Sequence, residues 1–181
     1  MRLALAVALL SMSGFAHAQA TTWHNLHFGE TRDQVRTDLT AQGIPVESSA
    51  EGALQSTSDY DLFLPGLTNT LPLRSSYHFT PNGGLMDVTL TLDLPAMRRN
   101  FAELASDDAL IRFASDAMAG ALAGRYGAPI YRSPACEGES KEANTCAIFW
   151  NGSEQSILLE RTASPRGQHL LLRYQMLTSD L

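Results

Sequence analysis

Polar and apolar residues alternate most clearly in two stretches of the chain. In the first, Tyr77 and Phe79 alternate with Ser76 and His78, and Val88, Leu90 and Leu92 alternate with Asp87, Thr89, Thr91 and Asp93. Pro81-Asn82-Gly83-Gly84 separates these two runs. A period of two puts every second side chain on one face of a strand, and an Asn-Gly-Gly turn between such runs predicts a β-hairpin with one buried face. In the second stretch, Leu170, Leu172, Tyr174 and Met176 alternate with His169, Leu171, Arg173 and Gln175. Upstream, Ala147-Ile148-Phe149-Trp150 runs into Asn151-Gly152, and Ser156-Ile157-Leu158-Leu159-Glu160 returns, which predicts another hairpin. Ser164-Pro165-Arg166-Gly167 then turns the chain once more. Tyr60–Leu64 reads as a strand stopped by Pro65-Gly66, and Ile130–Arg132 as a short one. The rest of 44–73 shows no clear period, with Ser, Gly, Ala and Thr dominating 48–58.

Between these stretches the period is helical. Thr31-Arg32-Asp33-Gln34 has capping-box spacing, Val35 and Leu39 follow on one face, and Gly43 stops the run, so a helix is expected over 31–42. Pro95 opens a short helix over 95–104. Ser106 caps a longer one, with Asp107 and Asp108 in its first turn, where negative charge suits the helix dipole. Leu110, Phe113, Ala114, Ala117, Met118, Ala121 and Leu122 recur at helical spacing up to Gly127 and Pro129. Helix followed by strands therefore occurs twice. The expected fold is α+β: two tandem α-β-β-β units, about 21–93 and 94–181, in a single domain over 21–181. Its antiparallel sheet is packed by helices on one face.

Charge at the N-terminus changes how the first residues are read. Arg2, the apolar run Leu3–Leu10 and the small residues Ala16-His17-Ala18-Gln19-Ala20 predict a signal peptide over 1–20, cleaved after Ala18 or after Ala20. The run is shorter than the ~20 residues a bilayer span needs, an anchor or core helix being the alternative. No cysteine lies near the cleavage site for a lipid, and no later stretch is long and apolar enough to span a membrane. A periplasmic or secreted protein without a membrane anchor is expected. Its mature chain carries 12 basic and 19 acidic residues, a net charge of −7, with Lys141 its one lysine. An acidic surface without a Lys/Arg cluster argues against nucleic acid as a partner. Cys136 and Cys146 are the only cysteines, and outside the cytoplasm such a pair predicts a disulfide. Their separation is too wide for a redox pair, and without a nearby histidine they make a poor zinc site.

Gly29-Glu30-Thr31-Arg32-Asp33-Gln34-Val35-Arg36, with Leu39 and Gly43-Ile44-Pro45, resembles the helix-opening pattern of the small lipoprotein of the outer-membrane barrel-assembly machinery. Leu122 to Pro129 followed by Phe149-Trp150 is similar to that family's later glycine, proline and tryptophan. The tandem arrangement also resembles the β-lactamase-inhibitor protein. These resemblances imply a fold that usually binds other proteins and is rarely catalytic. The chain departs from the lipoprotein pattern in lacking an anchor cysteine and in having a second unit.

Candidate chemistry is sparse. His24 and His27 form H-x-x-H, but as metal ligands they need a third partner that is not apparent, and packing or exposed histidines also account for them. Asp59 and Asp61 would share one strand face, as an acid/base pair, a cation site or a solvated edge. G-x-S-x-G, S-x-x-K, G-x-G-x-x-G and the P-loop are all missing. No catalytic residue, cofactor or metal site is expected. The broadest pattern is a polar strand face carrying His78, Asp87, Thr89, Thr91, Glu160, His169 and Arg173. It reads either as an ordinary solvated face or as a surface for another envelope or secreted protein. The expected function is thus a non-enzymatic interaction domain: an inhibitor, an immunity factor or an assembly accessory. Alternatives are a small-ligand-binding protein with a cleft between helices and sheet, and a hydrolase.

Overall fold

The first helix starts where its side chains can satisfy its open backbone donors. In a computed structural model, the Thr31 side chain accepts from the Gln34 backbone N–H, and the Gln34 side-chain Oε1 accepts from the Thr31 N–H at 2.8 Å. The capping box is present, and α1 spans Arg32–Ala41. It buries Val35 and Leu39 and ends as Gly43 takes a φ of +76°, a conformation that favours glycine. The structure describes residues 23–57, 60–64, 67, 69–104, 106–137, 145–152, 154–164 and 167–177. The expected signal peptide, Asp59 and Lys141 lie outside these residues.

Helix α2 spans Leu94–Asn100, capped by Asp93, and is shorter than the expected 95–104. The chain leaves the helix at Phe101, a buried residue whose ring packs 5.1 Å from that of Phe113. Helix α3 spans Asp107–Tyr126, capped by Ser106 and closed at Gly127, as the sequence predicts.

The strands are β1 (Val46–Ser48), β2 (Leu54–Ser56), β3 (Tyr60–Leu62), β4 (Leu71–Phe79), β5 (Leu85–Leu92), β6 (Tyr131–Arg132), β7 (Thr145–Asn151), β8 (Gln155–Ser164) and β9 (Gly167–Met176). They form one nine-stranded antiparallel sheet in the order β1-β2-β4-β5-β9-β8-β7-β6, with β3 also paired to β4. The α+β class and antiparallel sheet agree with the expectation. Each half is helix-first, but the strands number five before α2 and four after α3 among the described residues, not three. In both halves the first strand lies at an outer edge and the last at the centre, where β5 and β9 meet.

One face of this sheet is the floor of the core. Leu73, Ser75 and Tyr77 of β4 pair with Leu92, Leu90 and Val88 of β5. Val88 and Leu90 pair with Tyr174 and Leu172 of β9, and the parity continues through Ile157 and Leu159 to Trp150 and Ile148. Apart from the buried Ser75, these residues form one buried cluster with Val35 and Leu39 of α1, Met97 of α2, and Leu110, Ile111, Met118 and Leu122 of α3. All three helices therefore bury their apolar stripes on the same side. Trp150 is fully buried, and its indole N–H donates to the Gly127 carbonyl at 3.1 Å. Cys136 and Cys146 form the expected disulfide, which ties the 3-10 turn Pro134–Cys136, just after β6, to the start of β7.

Candidate functional site

The opposite sheet face follows from the same pairing. Residues in register form a row that crosses eight strands: Glu47, Gln55, Ser76, Thr89, Arg173, Leu158, Phe149 and Tyr131. The first five are polar or charged and the last three are apolar or aromatic. The adjacent rows are more mixed: on one side Asp87, Gln175, Ser156 and Asn151 pair in turn and are all polar. On the other, Thr91 pairs with Leu171, which pairs with Glu160, which pairs with Ala147. None of Leu158, Leu171, Phe149 or Tyr131 belongs to the core cluster. Leu158, Phe149 and Tyr131, with Leu171 beside them, thus form an apolar strip within an otherwise polar face, with Arg173 at its border.

The polar part of the face is internally held. Asp87 is only 7% exposed, so its carboxylate needs partners. His78 Nδ1 lies 2.8 Å from Asp87 Oδ1, and the Thr89 hydroxyl donates to the same oxygen at 3.0 Å. Arg173 Nε lies 3.5 Å from Asp87 Oδ2 and donates to the Thr89 hydroxyl oxygen at 3.3 Å. Asp87 and Thr89, both of β5, therefore fix the orientation of the guanidinium, and His78 holds Asp87 in turn. A second group lies along the apolar edge. Thr162 donates to Glu160 Oε1 at 3.3 Å, His169 Nε2 lies 3.5 Å from that oxygen, and the Thr145 and Thr162 hydroxyls are 3.2 Å apart.

Hydrogen bonding to Asp87 raises the His78 pKa above the ordinary histidine value, with burial opposing it. His24 moves the other way, lowered by burial. The two rings have opposite linkage. A raised folded pKa gives a contribution to stability that is full below the unfolded value and lost as pH rises through the folded one. A lowered folded pKa gives a contribution present above the unfolded value and lost as pH falls towards the folded one. An NMR titration should place the His78 midpoint above and the His24 midpoint below that of an unstructured histidine. Coincident midpoints would contradict both environments.

All seven face residues expected from the sequence, His78, Asp87, Thr89, Thr91, Glu160, His169 and Arg173, occupy this face. Two contact groups emerge, one around Asp87 and one around Glu160, while Thr91 belongs to neither. The apolar members are new. Their signal was the unbroken triplets Ile148-Phe149-Trp150, Ile157-Leu158-Leu159 and Leu170-Leu171-Leu172. In a strand, such a triplet puts its middle residue on the face away from its neighbours. Asp61 lies on the short strand β3 and is exposed. The His24 ring packs edge-on to Trp23, with centroids 4.9 Å apart. Among the described residues, no three histidine, cysteine or acidic side chains gather as a metal site. The His78 ring is hydrogen-bonded to Asp87, whose other partners are Thr89 and Arg173. Compared with known proteins, the chain matches no family model, no curated protein and no solved structure.

Proposed function

We propose that this protein is an exported, non-enzymatic interaction domain that holds another envelope or secreted protein against the open face of its sheet. An inhibitor, an immunity factor or an assembly accessory would each use such a face. The eight-strand row carries the reading, because it joins a pre-oriented arginine to an apolar, aromatic strip outside the core. Arginine and aromatic residues are enriched where protein interfaces are fully desolvated. Export is supported by the leader pattern and by the Cys136–Cys146 bridge, which an oxidising compartment sustains. The resemblance to protein-binding tandem folds points the same way.

Leu158→Glu is the cleanest test. Leu158 is half-buried at the centre of the strip and outside the core cluster, so the variant should fold. Affinity for the co-purifying partner should fall by about 30- to 100-fold, the loss of one central contact. Undiminished capture by a folded variant would overturn the reading. Arg173→Glu is less informative, since it sets a second carboxylate against Asp87.

A further inference from the structure

On the helix side of the sheet, α3 and β9 leave a cavity of about 130 Å³. Met118 and Leu122 of α3 and Leu172 and Tyr174 of β9, all buried, form its inner wall, and half-buried Trp23 stands at its side. Exposed Ala121 and Arg125, one helical turn apart, form the rim. Arg125 is the only charged residue in the lining among the described residues. Its guanidinium lies 5.3 Å from the centre of the Tyr126 ring, and no acidic side chain is paired with it among the described residues. A cation in the last turn of a helix suits the helix dipole. That explains its sign but not the apolar cavity beside it.

We propose that this cavity binds a small monocarboxylate of benzoate size, with its apolar body inside and its carboxylate on Arg125. The size follows from the volume. An apolar cavity of about 150 Å³ stays dry and accepts benzene. The wall is mostly aliphatic and aromatic carbon, so it offers such a body dispersion contacts and few of the hydrogen bonds that a sugar or an amino-acid backbone would need. The charge follows from the rim. A guanidinium pairs with a carboxylate through two parallel N–H···O bonds, and the pairing is charge-assisted. The site lies across the sheet from the proposed docking face, so either can fail without the other.

Titration of the purified full chain at constant ionic strength tests this, with benzoate, benzyl alcohol and acetate as probes. Trp23 reports occupancy by fluorescence, and thermal melting reports linked stabilisation. Benzoate should saturate with a Kd of about 1 mM. Benzyl alcohol should bind about tenfold more weakly, and acetate should not saturate. Ala121→Phe, which crowds the mouth from an exposed position, should abolish benzoate binding. Arg125→Gln should reduce benzoate to the level of benzyl alcohol and leave the alcohol unchanged. Three results would overturn the proposal: no saturation by benzoate, equal affinity for the alcohol, or benzoate binding that survives Ala121→Phe.

Discussion

Trp150→Ala should lower the folding stability by about 3–5 kcal/mol, the range for deleting a large buried aromatic. Trp150 is 1% exposed and among the largest fully buried side chains. Its neighbours sit on a sheet and on a long helix, so they have little freedom to collapse into the space it leaves. The substitution also removes the N–H that satisfies the Gly127 carbonyl at the end of α3. That bond joins β7 to the helix covering it, and its loss adds to the cavity term. A domain of this size has about 5–15 kcal/mol in total, so the variant sits near the threshold of folding. Its urea midpoint, followed by circular dichroism, should fall by about 1.5–2.5 M. Trp150→Phe keeps most of the ring volume and should recover more than half of the loss. A midpoint for Trp150→Ala close to that of the parent chain would show that the residue is not the core anchor described.

Replacing both cysteines with serine should cost about 2.5–3 kcal/mol, the loop-closure value for a bridge this close in sequence. Cys136 and Cys146 are ten residues apart, and the bridge is placed where the sheet is weakest. Strand β6 has two residues and, among the described residues, pairs with β7 alone, at the sheet edge. So short a pairing contributes little on its own. The disulfide holds the turn after β6 against the first residues of β7. It thereby keeps Tyr131 beside Phe149, with ring centroids 5.9 Å apart, at the outer end of the apolar strip. The double variant should therefore lose stability and also show faster amide exchange at β6 than at β4 or β5. Unchanged stability, or free thiols in the exported protein without reductant, would contradict the role given to the bridge.

The sequence carried the helix ends because they are written in local chemistry. Thr31 with Gln34, Ser106, and the glycines at 43 and 127 bound their helices within a few residues. The central strands were legible for a different reason: with one face buried, alternation survives over many residues. Strands β1 and β2 were missed, since a period of two cannot be recognised in three residues. They are defined by pairing to each other and to β4. The far half of β8 was hidden by Arg161. Arg161 pairs with Leu170 and Cys146 in a row that otherwise belongs to the core, and its charge interrupts the apolar alternation. The polar part of the open face was readable from parity alone. The apolar strip within that face was not, because Leu158, Phe149 and Tyr131 come together only when β8, β7 and β6 become neighbours.

The docking face is tested most directly by site-specific cross-linking in living cells. A photoreactive residue at position 158 reports the open face, and one at position 116, exposed on α3, reports the other side. Position 158 should give a discrete adduct with one protein, and position 116 should not. Excess untagged parent chain should suppress the adduct, while excess Leu158→Glu should not. The same adduct from both positions, or none from position 158, would contradict a partner on the open face.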